Sequence, residues 1–163
     1  MDEFELIRLH FAGLAPDGEG VVLGIGDDCA LLKLDEGEEL AISTDTLVAG
    51  RHFPLQTAPY DIGWKSLAVS LSDLAAMGAE PRAFLLALTL EQAETAWLKA
   101  FACGLSDLAR RHRVALIGGD TTRGPLNINI TAMGVVPRGQ ALRRSGARVG
   151  DAVCVTGTLG DAA

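Results

Sequence analysis

Apolar and polar positions alternate along the chain with two different periods. Apolar residues recur every three or four positions in three segments, at 2–14, from Pro59 to just before Gly78, and from about Glu91 to His112, and this spacing predicts three amphipathic helices. Shorter apolar runs, bounded by glycine, proline or charged turns, predict strands. The predicted strands cover residues 21–23, 30–32, 40–48, 83–88, 114–117, 126–136 and 152–156.

The first and third predicted helices concentrate their apolar residues on one side, as helices that face a core do. In the first helix these residues are Phe4, Ile7, Phe11 and Leu14. The third helix has a longer apolar stripe, made of Ala93, Trp97, Ala100, Phe101, Gly104, Leu105 and Leu108. Such a stripe indicates packing against a hydrophobic core, and we assign it no role in binding.

The segment Gly24–Ala30 separates two of the short strands and carries two adjacent carboxylates, Asp27 and Asp28. Successive side chains of a strand point to opposite faces, so we expect only one of the two to serve a given site. The glycines beside them allow a ligand to approach the backbone closely. A solvated acidic hairpin turn accounts for the same residues, and this motif alone does not decide between the two interpretations.

Oxygen-bearing side chains recur near two other predicted strands. Ser43, Thr44 and Asp45 lie where strand 40–48 turns polar, which we interpret as a strand end. Asp120 lies in a second Gly/Asp turn, 118–125, that follows strand 114–117 and whose glycines free backbone N–H groups for phosphate. Hard oxygen ligands of this kind suit Mg²⁺. A Ser/Thr/Asp-rich turn without a ligand is the alternative.

Asp73 is an anomaly inside the second predicted helix. It is flanked by Leu71, Leu74 and Ala75, which predicts a carboxylate at risk of burial. A buried carboxylate needs a cation or hydrogen bonds, and a metal ion would supply this. Exposure on the polar edge of the helix would remove the need for a partner.

Basic residues cluster in two loops. His52, next to Arg51, is placed to touch an anionic substrate, although a solvated loop histidine is the ordinary alternative. The segment 137–150 contains glycines and the arginines Arg138, Arg143, Arg144 and Arg148. Guanidinium groups there could bind phosphate oxygens in a forked geometry, or the segment could be a solvated linker.

Composition narrows the function classes. A chain of 163 residues with 48% hydrophobic residues is long enough for one domain with a core, and no apolar run is long enough to span a membrane. The net charge of −7 argues against a nucleic-acid partner, but carboxylates can hold phosphates through Mg²⁺. Three widely spaced cysteines predict a reducing cytoplasm rather than disulfides or a zinc site. The P-loop, dinucleotide-binding and protein-kinase signatures are all absent from the sequence.

Five motifs occur together in one order along the chain. They are Gly24–Ala30, Ile42–Val48, Leu71–Ala79, Gly118–Pro125 and Val155–Asp161. In this order they resemble the N-terminal half of the bacterial thiamine-monophosphate kinases, a family within the aminoimidazole-ribonucleotide-synthetase-like ATP-binding superfamily. The resemblance implies an α/β (α+β) sandwich, with a mixed sheet and flanking helices, whose sheets pair across a two-fold axis into a barrel-like homodimer.

The resemblance also implies an activity and a set of site residues. The activity is ATP-dependent phosphorylation of thiamine phosphate to thiamine diphosphate by direct in-line transfer, with no residue identified as a catalytic base. Several Mg²⁺ ions would be held by Asp28, Ser43, Thr44, Asp45, Asp73 and Asp120. ATP would be contacted by Gly119, Asp120 and Arg144, and thiamine phosphate by His52.

The same resemblance divides the chain into two parts. Residues 1–137 would form the metal- and ATP-binding N-terminal domain, and residues 138–163 a connector and the start of a C-terminal domain that is otherwise missing. We therefore expect this chain alone to be inactive. One alternative is a non-catalytic, dimerising Mg²⁺–ATP-binding module, and another is a sister-family ATP-dependent synthetase, such as a selenophosphate synthetase or a hydrogenase maturation factor.

Overall fold

A computed structural model describes residues 3–14, 18–155 and 157–158. It contains three α-helices, α1 (Glu3–His10), α2 (Pro59–Ala76) and α3 (Thr95–His112), and a short 3-10 helix at Arg144–Gly146. The strands are β1 (Val21–Leu23), β2 (Leu31–Leu32), β3 (Glu38–Val48), β4 (Glu80–Leu90), β5 (Ala115–Arg123) and β6 (Asn127–Pro137).

Four of the strands form one mixed sheet in the order β3-β6-β4-β5. The β3–β6 and β6–β4 pairs are antiparallel, whereas β4 and β5 are parallel and are joined through α3. Strands β3 and β5 are therefore the two edges of the sheet. The predicted α/β sandwich with a mixed sheet and flanking helices is confirmed.

One face of the sheet is covered by helices and holds the main core. Phe84, Leu86 and Leu88 of β4 and Ile128 and Ile130 of β6 lie on this face and are nearly inaccessible to solvent. They belong to one cluster with buried leucines of α2 and with the apolar stripe of α3. The spacing of apolar residues predicted these helices, because a helix with an apolar stripe packs that stripe against a buried apolar strand.

The two long helices approach each other closely at a pair of glycines. A Cβ atom on Gly63 would lie 2.1 Å from the carbonyl oxygen of Phe101, and one on Gly104 would lie 2.0 Å from that of Tyr60. No side chain fits between the two backbones at this crossing. The glycines thereby fix how α3 lies over α2.

The opposite face of the sheet is only partly covered. The small hairpin formed by β1 and β2 packs over Ala83, Ala115 and Ile117, which form a second apolar cluster. Toward β3 the same face is bare, and Ile42 is 60% exposed. Arg82 fixes the base of the hairpin to the sheet, because its guanidinium forms ion pairs with carboxylates that lie before β1, at the start of β3 and on β4: Glu19, Glu38 and Glu80.

Several predicted boundaries differ from the observed ones. Helix α1 ends at His10, and Phe11 and Leu14 are buried in the turns that follow it; Asp2 and the Phe4 side chain lie outside the described residues. Helix α3 begins at Thr95, so Ala93 lies before the helix and is exposed.

The strand predicted at 152–156 is wrong for residues 152–155, which form no regular element, while Thr156 lies outside the described residues. Val153 and Val155 are exposed, and no strand in the described part of the chain lies beside them to complete a hydrogen-bond ladder. An apolar run without such a neighbour has no reason to become a strand. None of the helices in the described ranges is both long and apolar enough to cross a membrane.

Candidate functional site

A cavity of about 1000 Å³ lies at the β5 edge of the sheet. Its walls are apolar residues of α1, of the hairpin and of the sheet, including Phe11, Leu32 and Met133. Its polar lining comes from the acidic bend after β1, which contributes Asp27 and Asp28, and from Gly118, Gly119 and Asp120 of β5. The cavity thus brings together two of the motifs that lie far apart in sequence.

Asp27 and Asp28 both line this cavity, so the structure does not place them on opposite faces as the sequence suggested, and which of them serves a site stays a prediction. The alternation of strand faces does not apply, because β1 ends at Leu23 and β2 starts at Leu31. Gly26 has a φ of +130°, and the Asp28 N–H donates a 2.8 Å hydrogen bond to Oδ1 of Asp27. This bond turns the Asp27 carboxylate toward the main chain of Asp28.

The second Gly/Asp motif was predicted as a turn, but it lies within a strand. Strand β5 continues through Asp120 to Arg123, paired in parallel with β4, and the register shifts after Phe84. Gly119 has a φ of +149°, and a Cβ atom there would lie 1.8 Å from the carbonyl oxygen of Leu86. Only glycine allows this approach, and it leaves the backbone beside Asp120 exposed at the sheet edge.

A second group of oxygen ligands lies at the opposite edge, between β3 and α2. The Ser43 hydroxyl donates a 2.5 Å hydrogen bond to Oδ2 of Asp73. Asp73 is exposed on the polar edge of α2, so the burial that its apolar neighbours suggested does not occur. Asp45 lies two residues after Ser43, on the same face of β3.

Ser43 and Asp45 do not lie at a strand end, because β3 continues to Val48. Within a strand, successive side chains point to opposite faces, so the Thr44 side chain points away from those of Ser43 and Asp45. The Thr44 hydroxyl lies 3.0 Å from the hydroxyl of Thr131 on the bare face of the sheet. A metal bound by Ser43 and Asp45 could therefore be reached only by the main chain of Thr44, and not by its side chain.

His52 lies in the loop that follows β3, and its ring returns to the end of that strand. The Val48 N–H donates a 3.0 Å hydrogen bond to Nδ1 of His52. The Lys65 ammonium on α2 donates a 2.8 Å hydrogen bond to the His52 carbonyl oxygen. Both side chains are exposed, so His52 of the loop and Lys65 of α2 place two basic groups together. They lie at one end of the β3–α2 seam, the line along which α2 lies against β3.

Arg144 lies at the other end of α2, two residues beyond an anchored point of the connector. The Leu142 N–H donates a 3.0 Å hydrogen bond to the carbonyl oxygen of Met77, which caps α2, and the Leu142 side chain lies over Gly78. Asp73 is in the last turn of the same helix. The exposed Arg144 is thus attached to the end of α2 that carries Asp73.

The two groups of ligands do not converge within one chain. Asp120 is on edge strand β5, whereas Asp45 is on edge strand β3, with two strands between them. At a strand spacing of about 4.8 Å, three steps separate the edges by about 14 Å. In residues 3–14, 18–155 and 157–158, no three His, Cys, Asp or Glu side chains lie close enough to hold one metal ion.

Two features of the site were not predicted from the sequence. Arg8 and Phe11 belong to an amphipathic helix and its extension, yet both line the cavity, because α1 closes it from one side. Lys65 was counted only as part of the helical spacing of α2. Its alignment with a loop carbonyl depends on a contact between residues 13 apart, which periodicity does not reveal.

Known proteins resemble this chain in sequence. Residues 26–136 match the family described as AIR synthase related protein, N-terminal domain. The chain is 55% identical over 161 residues to the thiamine-monophosphate kinase of Escherichia coli, covering 99% of this chain and 50% of that protein. It is 40% identical to that of Bacillus subtilis, covering 100% of this chain and 51% of that protein. The chain spans about half the length of the curated relatives it matches.

Solved structures resemble the fold. The crystal structure of thiamine-monophosphate kinase from Stenotrophomonas maltophilia superposes with a TM-score of 0.76 at 55% identity, covering 88% of this chain and 45% of that one. The structure of AaThiL complexed with AMPPCP and TMP superposes with a TM-score of 0.65 at 30% identity, covering 90% and 45%. The family resemblance carried by the five motifs is thus confirmed, and this chain belongs to the AIR synthase related proteins, whose N-terminal domain it contains.

Proposed function

We propose that this chain is the metal- and nucleotide-binding half of an enzyme that phosphorylates thiamine phosphate to thiamine diphosphate, with ATP as the donor. The names of the similar proteins and the AMPPCP and TMP bound to AaThiL support this reaction. The 45% to 51% coverage of these relatives supports an active site that needs a further domain.

The Ser43–Asp73 hydrogen bond is the observation that supports the metal assignment most directly. It joins a hydroxyl of β3 to a carboxylate of α2, with Asp45 on the same face of the strand. Mg²⁺ is commonly held by one or two carboxylates together with waters and substrate phosphates, so this donor set fits it. Asp28 and Asp120 would hold further ions at the β5 edge. Bound Mg²⁺ would neutralise charge on the phosphate oxygens.

The remaining groups would position the two substrates. The glycine-rich strand at Gly119 exposes backbone beside Asp120, which suits close contact with a phosphate chain. Arg144 would bind phosphate oxygens of ATP with its guanidinium, and His52 would contact thiamine phosphate. Phosphoryl transfer depends mainly on positioning and charge, so the absence of an assigned base fits direct in-line transfer.

A second copy of the chain would complete the site. If the bare faces of two sheets meet as a barrel, the β5 edge of one sheet pairs with the β3 edge of the other. Asp120 of one copy would then lie beside Asp45 and Asp73 of the second copy, although these residues lie on opposite edges of each sheet. The exposed Ile42 and Leu40 on the bare face support such an interface.

The proposed setting is the cytoplasm. Cys29, Cys103 and Cys154 are free and exposed, which suits a reducing compartment.

Calorimetric titration tests the nucleotide part of the proposal. ATP with Mg²⁺ should bind to the chain, ATP with a chelator should bind much more weakly, and Asp73→Asn should weaken the Mg²⁺-dependent part. Equal binding of ATP with and without Mg²⁺ would contradict the metal assignment. The second candidate function is a non-catalytic Mg²⁺–ATP-binding module, because about half of each relative is not matched by this chain. This candidate predicts the same nucleotide binding, but no product when the C-terminal half of a relative is added.

A further inference from the structure

The loop after β3 is folded so that the His52 ring has only one neutral form. The main-chain N–H of His52 donates to the carbonyl oxygen of Val48 at 3.0 Å. The main-chain N–H of Val48 in turn donates to the ring nitrogen Nδ1 of His52 at 3.0 Å. A nitrogen that accepts a hydrogen bond from an N–H group must carry a lone pair. The neutral ring therefore has its proton on Nε2, and Nε2 acts as a hydrogen-bond donor.

The donor Nε2–H is directed away from the strand. The two ring nitrogens lie on opposite sides of the imidazole, so the bond at Nδ1 turns Nε2 outward, and the His52 side chain is exposed. The buried Phe53 side chain, 4% exposed, anchors the loop, and the Gly50 N–H donates to the Phe53 carbonyl oxygen at 2.9 Å. A fixed outward donor is suited to a phosphate oxygen.

Lys65 is the second element that holds this arrangement. Its ammonium donates to the His52 carbonyl oxygen at 2.8 Å and so joins the loop to α2. An ammonium has three protons, and two of them remain for other acceptors. Asp61, one turn earlier on α2, forms no ion pair with Lys65 among the described residues. The positive charge is therefore available beside the ring.

The position along the seam suits an acceptor phosphate. Val48 is three residues beyond Asp45 on β3, which corresponds to about 10 Å along a strand. Asp73 is eight residues beyond Lys65 on α2, which corresponds to about 12 Å along a helix. The basic pair thus lies at one end of the seam, a short distance from the carboxylates assigned to Mg²⁺.

We propose that Lys65 is a positioning residue for the phosphate of the acceptor substrate. By holding the His52 carbonyl it keeps the Nε2–H of that ring directed at the phosphate, and its charge favours an anion there. This inference rests on the proposed function, in which His52 contacts thiamine phosphate. The ligand chemistry is a phosphate monoester on an organic cation, and unphosphorylated thiamine should gain nothing from Lys65.

Imidazole nitrogen NMR of the whole chain tests the structural part without any ligand. The wild-type spectrum should show His52 as a single Nε2–H tautomer, assigned by its loss in His52→Gln. Lys65→Met should give a mixture of tautomers and faster exchange of the Val48 amide. Lys65→Arg should restore the wild-type spectrum, because a guanidinium can also donate to a carbonyl. An unchanged His52 signal in Lys65→Met would overturn the inference.

Titration with thiamine phosphate, followed by the His52 signals and by calorimetry, tests the ligand part. Lys65→Met should bind about tenfold more weakly, about 1.4 kcal/mol. Lys65→Arg should retain most of the affinity, and Mg²⁺–ATP binding should not change. The matched control is Lys99→Met, which removes an exposed lysine of α3 and should behave as wild type.

The outcomes separate the two claims. If His52 shows no response to thiamine phosphate either in the wild-type chain alone or in its mixture with the C-terminal half of the Stenotrophomonas maltophilia relative, the assignment of His52 in the proposed function is wrong, and the inference is overturned with it. If wild type responds and Lys65→Met binds thiamine phosphate equally well, only the role of Lys65 is overturned.

Discussion

The Ser43 hydroxyl donates to the Asp73 carboxylate across 2.5 Å, and this contact joins an edge strand to the helix that covers it. The two residues are 30 positions apart, and each belongs to a motif that looks ambiguous by itself. Together with Asp45 they form, along the β3–α2 seam, the group of oxygen ligands that we propose for Mg²⁺. The first prediction concerns this seam.

Asp45→Asn should weaken binding of Mg²⁺–ATP by tenfold or more and leave the fold intact. Asp45 is a partly exposed residue of an edge strand, so the amide fits the same space, but it removes one negative ligand. Isothermal titration measures the affinity and thermal unfolding measures the fold. The matched control is Glu91→Gln, an exposed charge beyond β4, which should bind as wild type does. Unchanged binding by Asp45→Asn would mean that Ser43, Thr44 and Asp45 have a structural role and do not hold Mg²⁺.

Ile42→Asp should dissociate the proposed dimer. Ile42 is 60% exposed on the bare face of the sheet, and a two-fold pairing of these faces would bury it in both copies. Burying two unpaired carboxylates should weaken the dimer by about a hundredfold or more. Sedimentation of wild type, of Ile42→Asp and of Leu55→Asp, an exposed residue of the loop between β3 and α2, measures the effect. A wild-type monomer across micromolar concentrations would count against the dimer.

Arg82→Met should destabilise the fold by about 1–2 kcal/mol, with faster amide exchange in the hairpin. The Arg82 side chain is 12% exposed, whereas Glu19 and Glu80 are mostly exposed to water. Water can therefore solvate these two carboxylates in the variant, which limits the loss in free energy of unfolding. Methionine keeps the apolar stem, so the change reports mainly on charge. Arg110→Met removes a 60% exposed cation whose ion pair with Asp107 is 4.0 Å long, and it should cost less than 0.5 kcal/mol. Equal effects of the two changes would contradict a specific role for Arg82.

Asp107→Ala should lower the pKa of Tyr60. The hydrogen bond that the Tyr60 hydroxyl donates to Asp107, 2.9 Å long, is the main cause that raises the pKa of this tyrosine above 10.0, with desolvation and the charge of Asp107 adding to it. The folded chain holds the proton more tightly than the unfolded chain does. The resulting stabilisation is therefore present below pH 10 and is lost as the pH rises through the folded pKa.

The sequence has one tyrosine, so absorbance of the tyrosinate reports this titration alone. Asp107→Asn keeps a hydrogen-bond acceptor without the charge, and it should give an intermediate pKa. A wild-type midpoint that Asp107→Ala leaves in place would contradict the assigned cause.

Periodicity and turn residues predicted most of the fold. The helical spacing of apolar residues in α2 and α3 is a local pattern that the sequence shows directly, and Pro59 and Gly78 mark the ends of α2 as predicted. The errors within the four-stranded sheet occur where strand pairing overrides local preference. Gly118–Arg123 looks like a turn, but parallel pairing with β4 extends it, and Ser43 and Asp45 look terminal until β6 pairs with the whole of β3.

The sequence predicts which residue types a candidate site contains, but it does not predict how the structure arranges them. Glycine and aspartate motifs identify hard-oxygen chemistry locally, but which motifs meet depends on strand order. Sequence spacing gave no sign that Asp120 and Asp45 occupy opposite edges of one sheet. The alignment of Lys65 with the His52 loop is likewise a tertiary contact.

Formation of thiamine diphosphate from thiamine phosphate and Mg²⁺–ATP tests the central claim most directly. The assay compares this chain alone with the same chain mixed with the C-terminal half of the Stenotrophomonas maltophilia relative, produced separately. We predict no product from the chain alone, and product from the mixture that is lost with Asp45→Asn. Product from the chain alone at a rate that the added half does not change would contradict the half-site account, and no product from a mixture that binds both substrates would contradict the proposed reaction.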